Sequence, residues 1–137
     1  MDARAPDLNN PDLYINRELS LLEFNRRVLE QSKDDSHPLL ERLKFLCITS
    51  SNLDEFFEIR VAGLKQQVTY RSAAMGPDRL LPAEQLKRIS EVAHDLVSEQ
   101  YRILNEELLP MLAEQEIHFL KRSQWNVKQS GWVKRYF

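Results

Sequence analysis

Glycine is scarce in this chain of 137 residues, which contains only 3. Glycine usually makes up about 7% of a protein, and the loops that cradle phosphate need several glycines at fixed spacing. Gly63, Gly76 and Gly131 are far apart and form neither GxxxxGK[ST] nor GxGxxG. Any contact with a nucleotide must therefore be made without a loop of that kind.

The single cysteine excludes a fold built on internal disulfides. Cys47 lies in the apolar run Phe45-Leu46-Cys47-Ile48, so we expect a small, buried core residue in a protein from a reducing compartment. No histidine is near it in the sequence, which argues against nucleophilic catalysis.

Excess charge and long apolar runs are also absent. The chain has 19 Lys+Arg against 21 Asp+Glu, interspersed, so no basic field favours nucleic acid as a partner. Apolar runs stop at four or five residues, whereas a membrane span needs about 20. The N-terminus lacks a signal-peptide core. We expect a soluble, cytoplasmic protein, with peripheral membrane attachment of a parent protein as an open alternative.

Helical periodicity predicts an all-α fold, an antiparallel bundle of about four helices with one long helix. Residues 1–13 have turn-forming composition and are expected to be a mobile lead-in; 14–115 form the bundle, with a loop at 71–81. Four helices are predicted, at 20–32, 38–49, 53–68 and from Pro82 to about Pro110. The first begins at a capping box formed by Ser20 and Glu23, and a proline can begin the second and the fourth. Pro110 is expected to kink or end the fourth helix.

Residues 116–137 are expected to lead into a next domain. Residues 117–120 form a short strand or an extended linker, and a final helix follows. The amphipathic pattern is still running at Phe137, which predicts a fragment of a longer polypeptide. Its aromatic residues leave a second function open, a non-catalytic docking or oligomerisation module. They are Trp125, Trp132, Tyr136 and Phe137.

Asn52 has two interpretations. With Glu55 three residues later, it has the spacing of a capping box and would be the N-cap of a helix starting at Leu53. A carboxamide can also both accept from and donate to the edge of a purine, and adenine is recognised in this way. A helix N-terminus beside it would favour the anionic groups of the same ligand. The two roles are compatible.

Arg60 is the second candidate. At about 100° per residue, the apolar positions from Leu53 to Val68 cover an arc of about 200°, with Arg60 near its middle. A buried cation needs a partner, so we expect an ion pair with Asp54 or with an acid on another helix rather than a phosphate contact. The acids Asp54, Glu55 and Glu58 are interpreted as first-turn acids and a solvated face rather than as acid–base catalysts.

Metal chemistry has one weak signal. Glu91 and His94 have ExxH spacing, but a di-metal bundle needs two such motifs and further glutamates. His94 is therefore interpreted as a boundary or surface residue. His37 and His118 have no carboxylates at ligand spacing. We predict no metal site and no catalytic residue in the chain.

Four segments resemble the N-terminal domain of bacterial polyphosphate kinase of the phosphohistidine-forming type. The similarity is dense over residues 14–68 and looser from 80 to 137, and Leu21 or Leu22 stands where the family often has Trp. The segments are 14–20 (YINRELS), 24–29 (FNRRVL), 38–46 (PLLERLKFL) and 51–65 (SNLDEFFEIRVAGLK).

The resemblance implies a parent enzyme that reversibly transfers the terminal phosphate of ATP to polyphosphate through a phosphorylated histidine, with Mg²⁺, as a homo-oligomer. It implies further domains in the same chain, including two catalytic domains that carry the histidine, which none of His37, His94 and His118 matches. This domain would cover the adenine end of ATP through Asn52 and would bind no Mg²⁺ itself. Arg60 also matches the family motif.

Overall fold

The computed structural model describes residues 6–71 and 75–137, and every regular element in those ranges is helical. The prediction of an all-α bundle is thus confirmed. The short strand that was one alternative for residues 117–120 is not observed, because residues 117–121 have no regular structure. The α-helices are α1 (Arg17–Glu30), α2 (Leu39–Glu55), α3 (Ala62–Thr69), α4 (Pro82–Arg102), α5 (Leu109–Glu114) and α6 (Val127–Tyr136).

Two predicted segments lie partly outside the described residues. Of the expected lead-in, residues 1–5 are not described, and the rest contains a short 3₁₀ helix at Pro11–Leu13. Residues 72–74 of the expected loop at 71–81 are likewise not described. No helix in the described part of the chain is both long and apolar enough to cross a membrane.

Two π-helical segments join these helices into longer rods. Phe56–Val61 connects α2 to α3, so the chain is helical from 39 to 69, and Ile103–Leu108 connects α4 to α5 from 82 to 114. The predicted helix boundary around Asn52 is therefore wrong, and Pro110 does not end the last long helix. The wider turn just before Pro110 gives its ring room beside the preceding carbonyls.

The spacing of buried residues shows why the π segments exist. In the first rod the buried positions advance by three or four residues, except for a step of five from Phe56 to Val61. The second rod has the same step from Ile103 to Leu108. A π turn accommodates one extra residue, so both halves of each rod face the core. The buried positions in the first rod are Arg42, Leu46, Thr49, Leu53, Phe56, Val61 and Leu64.

α1 begins earlier than predicted. Asn16 is its N-cap, and the Oδ1 atom of Asn16 accepts a hydrogen bond from the backbone N–H of Leu19 at 3.0 Å. The predicted Ser20–Glu23 capping box is therefore wrong, since Ser20 is already inside the helix. The Nδ2 atom of Asn16 donates to Asp78 at 2.7 Å, which attaches the start of α1 to the loop before α4.

The core is formed where α1 packs against α2 and α4, and α3 packs against α4. Leu22 and Leu29 of α1 are almost completely buried, as is Leu96 of α4. Cys47 is exposed, so the prediction of a buried core cysteine is wrong. It follows Leu46 by one residue, and a helix turns about 100° per residue, which carries its side chain away from the core.

Among the residues that the structure describes, the buried cation is Arg42, which the sequence did not single out. Its Nε atom donates to the carbonyl oxygen of Ser32 at 2.8 Å, and a second guanidinium nitrogen donates to Asp35 at 2.6 Å. The same nitrogen lies 3.7 Å from the sulfur of Met111. Arg42 thus holds the α1–α2 loop and α5 against the start of α2.

Candidate functional site

A cleft of about 240 Å³ lies between α1 and the region where α2 enters the first π segment. Its walls are mainly apolar and include Phe24 and Ile59, which are 49% and 59% exposed. Both predicted site residues, Asn52 and Arg60, line this cleft, together with Asn25, which was not predicted. A π segment at a cleft is notable because such segments frequently occur at functional sites.

Asn52 is partly buried inside α2, so its interpretation as an N-cap is wrong. Its Nδ2 atom donates to the Oδ1 atom of Asn25 at 3.1 Å. Within residues 6–71 and 75–137, nothing donates to the Oδ1 atom of Asn52, and no fully buried side-chain N or O atom lacks a partner. The Oδ1 atom of Asn52 therefore reaches solvent and can accept a hydrogen bond from a ligand.

Asn25 is only 3% exposed and lies on the face of α1 that carries Leu22 and Leu29. Its Nδ2 atom donates to the backbone carbonyl of Thr49 at 3.1 Å, and its Oδ1 atom accepts from Asn52. The available sequence signal was a carboxamide at a position where helical periodicity requires an apolar residue. Such a residue needs a buried hydrogen-bond partner.

Arg60 is exposed at the cleft, and it forms no ion pair with any residue that the structure describes. The predicted buried ion pair with Asp54 or another acid is therefore wrong. The prediction assumed a constant 100° per residue, but the π segment adds a residue between Phe56 and Val61 and shifts Arg60 off the core face. A phosphate contact by Arg60 stays a prediction.

The acids around the cleft are exposed, which confirms the interpretation of a solvated face for Asp54, Glu55 and Glu58. Their assignment to a first helical turn is wrong, because α2 begins at Leu39. Glu55 also lines the cleft, so the lining includes the carboxylate of Glu55 and the guanidinium of Arg60, and both residues are exposed.

The histidines lie apart from this cleft. His94 is exposed, and its Nδ1 atom lies 2.7 Å from the backbone oxygen of Ser90, which confirms the prediction of a surface residue. The Nε2 atom of His37 lies 3.2 Å from Gln31, and His118 is exposed. Among the described residues, no three His, Cys, Asp or Glu side chains are grouped to hold a metal ion.

An ion-pair network connects the end of α1 to α4. Arg102 donates to Glu99 at 2.7 and 2.8 Å, and Lys33 lies 3.4 Å from Glu99. These hydrogen bonds, those of Arg102 first, lower the pKa of Glu99 to about 2. The pKa of Lys33 is raised, chiefly by its hydrogen bond to Glu30. This network stabilises the bundle away from the cleft.

The fold and the cleft define an all-α domain with a small, mainly apolar cleft that is lined by two carboxamides, those of Asn25 and Asn52. Residues 14–120 match the family described as the polyphosphate kinase N-terminal domain, and the chain belongs to that family. No solved structure matches the chain.

Three proteins named polyphosphate kinase illustrate the similarity. That of Pseudomonas aeruginosa is 60% identical over 130 residues, which cover 95% of this chain and 19% of that protein. The Thermosynechococcus vestitus protein is 47% identical over 131 residues, 96% of this chain and 18% of its own length. The Lactiplantibacillus plantarum protein is 48% identical over 124 residues, which cover 90% of this chain and 17% of that protein. The chain thus spans about a fifth of the length of these relatives.

Proposed function

We propose that this chain is the N-terminal domain of a polyphosphate kinase and holds the adenine end of ATP. The parent enzyme would reversibly transfer the terminal phosphate of ATP to polyphosphate. The observation that carries the proposal is the carboxamide of Asn52, which lines an apolar cleft with an oxygen that reaches solvent. Family membership supports the parent activity.

The cleft suits a nucleotide base in its chemistry and its size. The oxygen of the Asn52 carboxamide can accept a hydrogen bond from the N6 amino group of adenine, and apolar side chains such as Phe24 cover ring faces. Complete small-molecule sites occupy about 300–1,000 Å³, so about 240 Å³ accommodates the base rather than the whole nucleotide. The phosphates would extend past Arg60 toward other domains.

This arrangement assigns phosphate transfer and Mg²⁺ binding to the rest of the parent chain. None of the three histidines lines the cleft, and phosphoryl transfer depends mainly on positioning and charge stabilisation at the phosphates. We therefore propose that the isolated chain is inactive. The proposed partners are ATP or ADP, polyphosphate, the remaining domains and further copies in a homo-oligomer.

The proposal is tested by Asn52→Ala in the full-length enzyme. An adenine contact is made equally in the ground and transition states, so its loss raises the KM for ATP while kcat stays similar. We expect a rise in KM of about tenfold. Ser51→Ala, an exposed neighbour on the same helix, is the matched control and should leave KM unchanged. An unaltered KM in Asn52→Ala would remove Asn52 from the nucleotide site.

A second candidate function is docking through α6, which buries none of its own residues. Trp132 stacks on Tyr136 with ring centroids 5.2 Å apart, and Tyr136 contacts Phe137 edge-on at 5.0 Å. These rings are 57%, 70% and 97% exposed, respectively. Aromatic residues are enriched in the centres of protein interfaces, where a partner covers them. We therefore propose that residues 116–137 lead into the next domain and pack against that domain or a sister subunit.

Trp132→Ala in the full-length protein tests docking. If the aromatic cluster is buried in the parent, the substitution lowers the midpoint of thermal unfolding or dissociates the oligomer, because a buried aromatic contact is lost. Val127→Ala, on the same helix and 91% exposed, should change neither. If the two variants have the same unfolding midpoint and the same oligomeric state, a docking role for the aromatic cluster is rejected.

A further inference from the structure

We propose that Asn25 is a positioning residue that fixes the orientation of the Asn52 carboxamide and so makes the site select a 6-amino purine over a 6-oxo purine. The inference rests on the proposed function, because it takes the base of a nucleotide as the ligand of the cleft. It concerns a residue that would not touch the ligand through its own amide, since both ends of that amide are already used.

The side-chain amide of Asn25 is held in one orientation. Its side chain is 3% exposed, and its Nδ2 atom donates to the carbonyl oxygen of Thr49 at 3.1 Å. Rotating the amide by 180° would place its oxygen against that carbonyl, and two acceptors cannot form a hydrogen bond. A buried group left without its partner is costly. The oxygen of Asn25 is thereby directed toward Asn52.

The fixed amide of Asn25 in turn fixes the orientation of the Asn52 carboxamide. The oxygen of Asn25 accepts from the Nδ2 atom of Asn52 at 3.1 Å. A rotated Asn52 would present its own oxygen to that acceptor, and the hydrogen bond would be lost at both residues. The carboxamide of Asn52 is therefore held with its nitrogen toward α1 and its oxygen away from Asn25, where it reaches solvent.

The orientation of the Asn52 carboxamide determines which purine base fits the cleft. A fixed acceptor oxygen favours a base that presents a donor, and the exocyclic amino group of adenine is such a donor. Hypoxanthine and guanine carry a carbonyl oxygen at that position, which would meet the oxygen of Asn52 as a second acceptor. Without Asn25, the carboxamide of Asn52 can rotate and donate to the carbonyl instead. Asn25 would then control selectivity in addition to affinity.

The experiment compares kcat/KM for ATP and for ITP in the full-length enzyme and its Asn25→Leu, Asn52→Ala and double variants. Leucine keeps the branched shape of the Asn25 side chain and removes both hydrogen bonds. We expect Asn25→Leu to lower the ATP-to-ITP ratio about tenfold. In the Asn52→Ala background, Asn25→Leu should cause no further change in the ATP-to-ITP ratio, because the carboxamide that it orients is absent. Leu29→Ala, at a buried position on the same helix face, destabilises the bundle through lost core packing and should leave the ATP-to-ITP ratio intact.

The outcomes separate the two proposals. If Asn25→Leu reduces kcat/KM for both nucleotides in parallel, Asn25 has only a structural role and the inference is overturned. If Asn52→Ala changes neither the KM for ATP nor the ratio, the proposed function itself fails. Should Asn25→Leu not fold, Asn25→Ala is compared with the wild type in its place, and an unchanged ATP-to-ITP ratio in that variant would overturn the inference. Equal use of ATP and ITP by the wild-type enzyme would by itself contradict a fixed acceptor at the base.

Discussion

At the scale of single residues, Arg42 shows how a buried cation is accommodated. Its side chain is 4% exposed, while its partner Asp35 is 87% exposed. The guanidinium therefore gives up its hydration and recovers hydrogen bonds from the Ser32 carbonyl and from Asp35. Arginine suits this position because its planar group offers several donors in fixed directions.

We predict that Arg42→Ala lowers the free energy of unfolding by about 1–3 kcal/mol, because the buried Ser32 carbonyl loses its side-chain partner. Urea unfolding followed by circular dichroism measures this loss. Lys44→Ala is the control, since Lys44 pairs with Glu41 on the surface with 64% of its side chain exposed. Equal stabilities of the two variants would show that Arg42 does not hold the α1–α2 loop.

At the scale of helices, the π segment between α2 and α3 governs both the core and the site. It carries Phe56 and Val61 into the core with a step of five residues and leaves Ile59 and Arg60 on the cleft. A straight α-helix of the same sequence would rotate the second half of the rod by about 100° relative to the first. The extra residue thus serves packing and site together.

A pair of deletions tests this interpretation. Removing Glu58, which is exposed within the π segment, should convert the step of five to four and keep both halves of the rod in register. Removing the exposed Cys47 should rotate Arg42 and Leu46 away from the core. We expect the Glu58 deletion to retain a cooperative thermal transition and the Cys47 deletion to lose it. Similar midpoints for both would contradict the account.

Several features of the helices and of the site were predictable from sequence. Pro82 marks a helix start because its missing N–H is not needed there, and Asn52, which the sequence singled out for its carboxamide, lines the cleft. Constant periodicity, however, could not locate a π turn, and the error carried over to Arg60. Asn25 was missed because its role depends on the Thr49 carbonyl, 24 residues away. Only the packing of α1 on α2 brings the two together.

At the scale of the whole molecule, acid stability should depend on the network around Glu99. Its pKa of about 2 in the folded state lies below the ordinary 4.5. The ionised carboxylate therefore stabilises the fold above pH 4.5, and this contribution is lost as the pH falls from 4.5 toward 2. Exposure of the network keeps the effect small.

We expect Glu99→Gln to lower the midpoint of thermal unfolding at pH 7 and to lower it less at pH 3. Calorimetry at the two pH values measures the difference between wild type and variant. Glu91→Gln, at an exposed position on the same helix, should show no such change with pH. A difference that stays constant or grows at pH 3 would contradict the lowered pKa of Glu99.

In the function proposed for the whole domain, the cleft between α1 and the first π segment holds the base of a nucleotide, and the other domains of the parent chain hold the phosphates. The most direct measurement is a structure of the full-length enzyme with a non-hydrolysable ATP analogue. We predict adenine in the cleft between α1 and the π segment, with its exocyclic amino group within hydrogen-bonding distance of the Asn52 oxygen. Adenine bound elsewhere, with the cleft empty or filled by protein, would contradict the account.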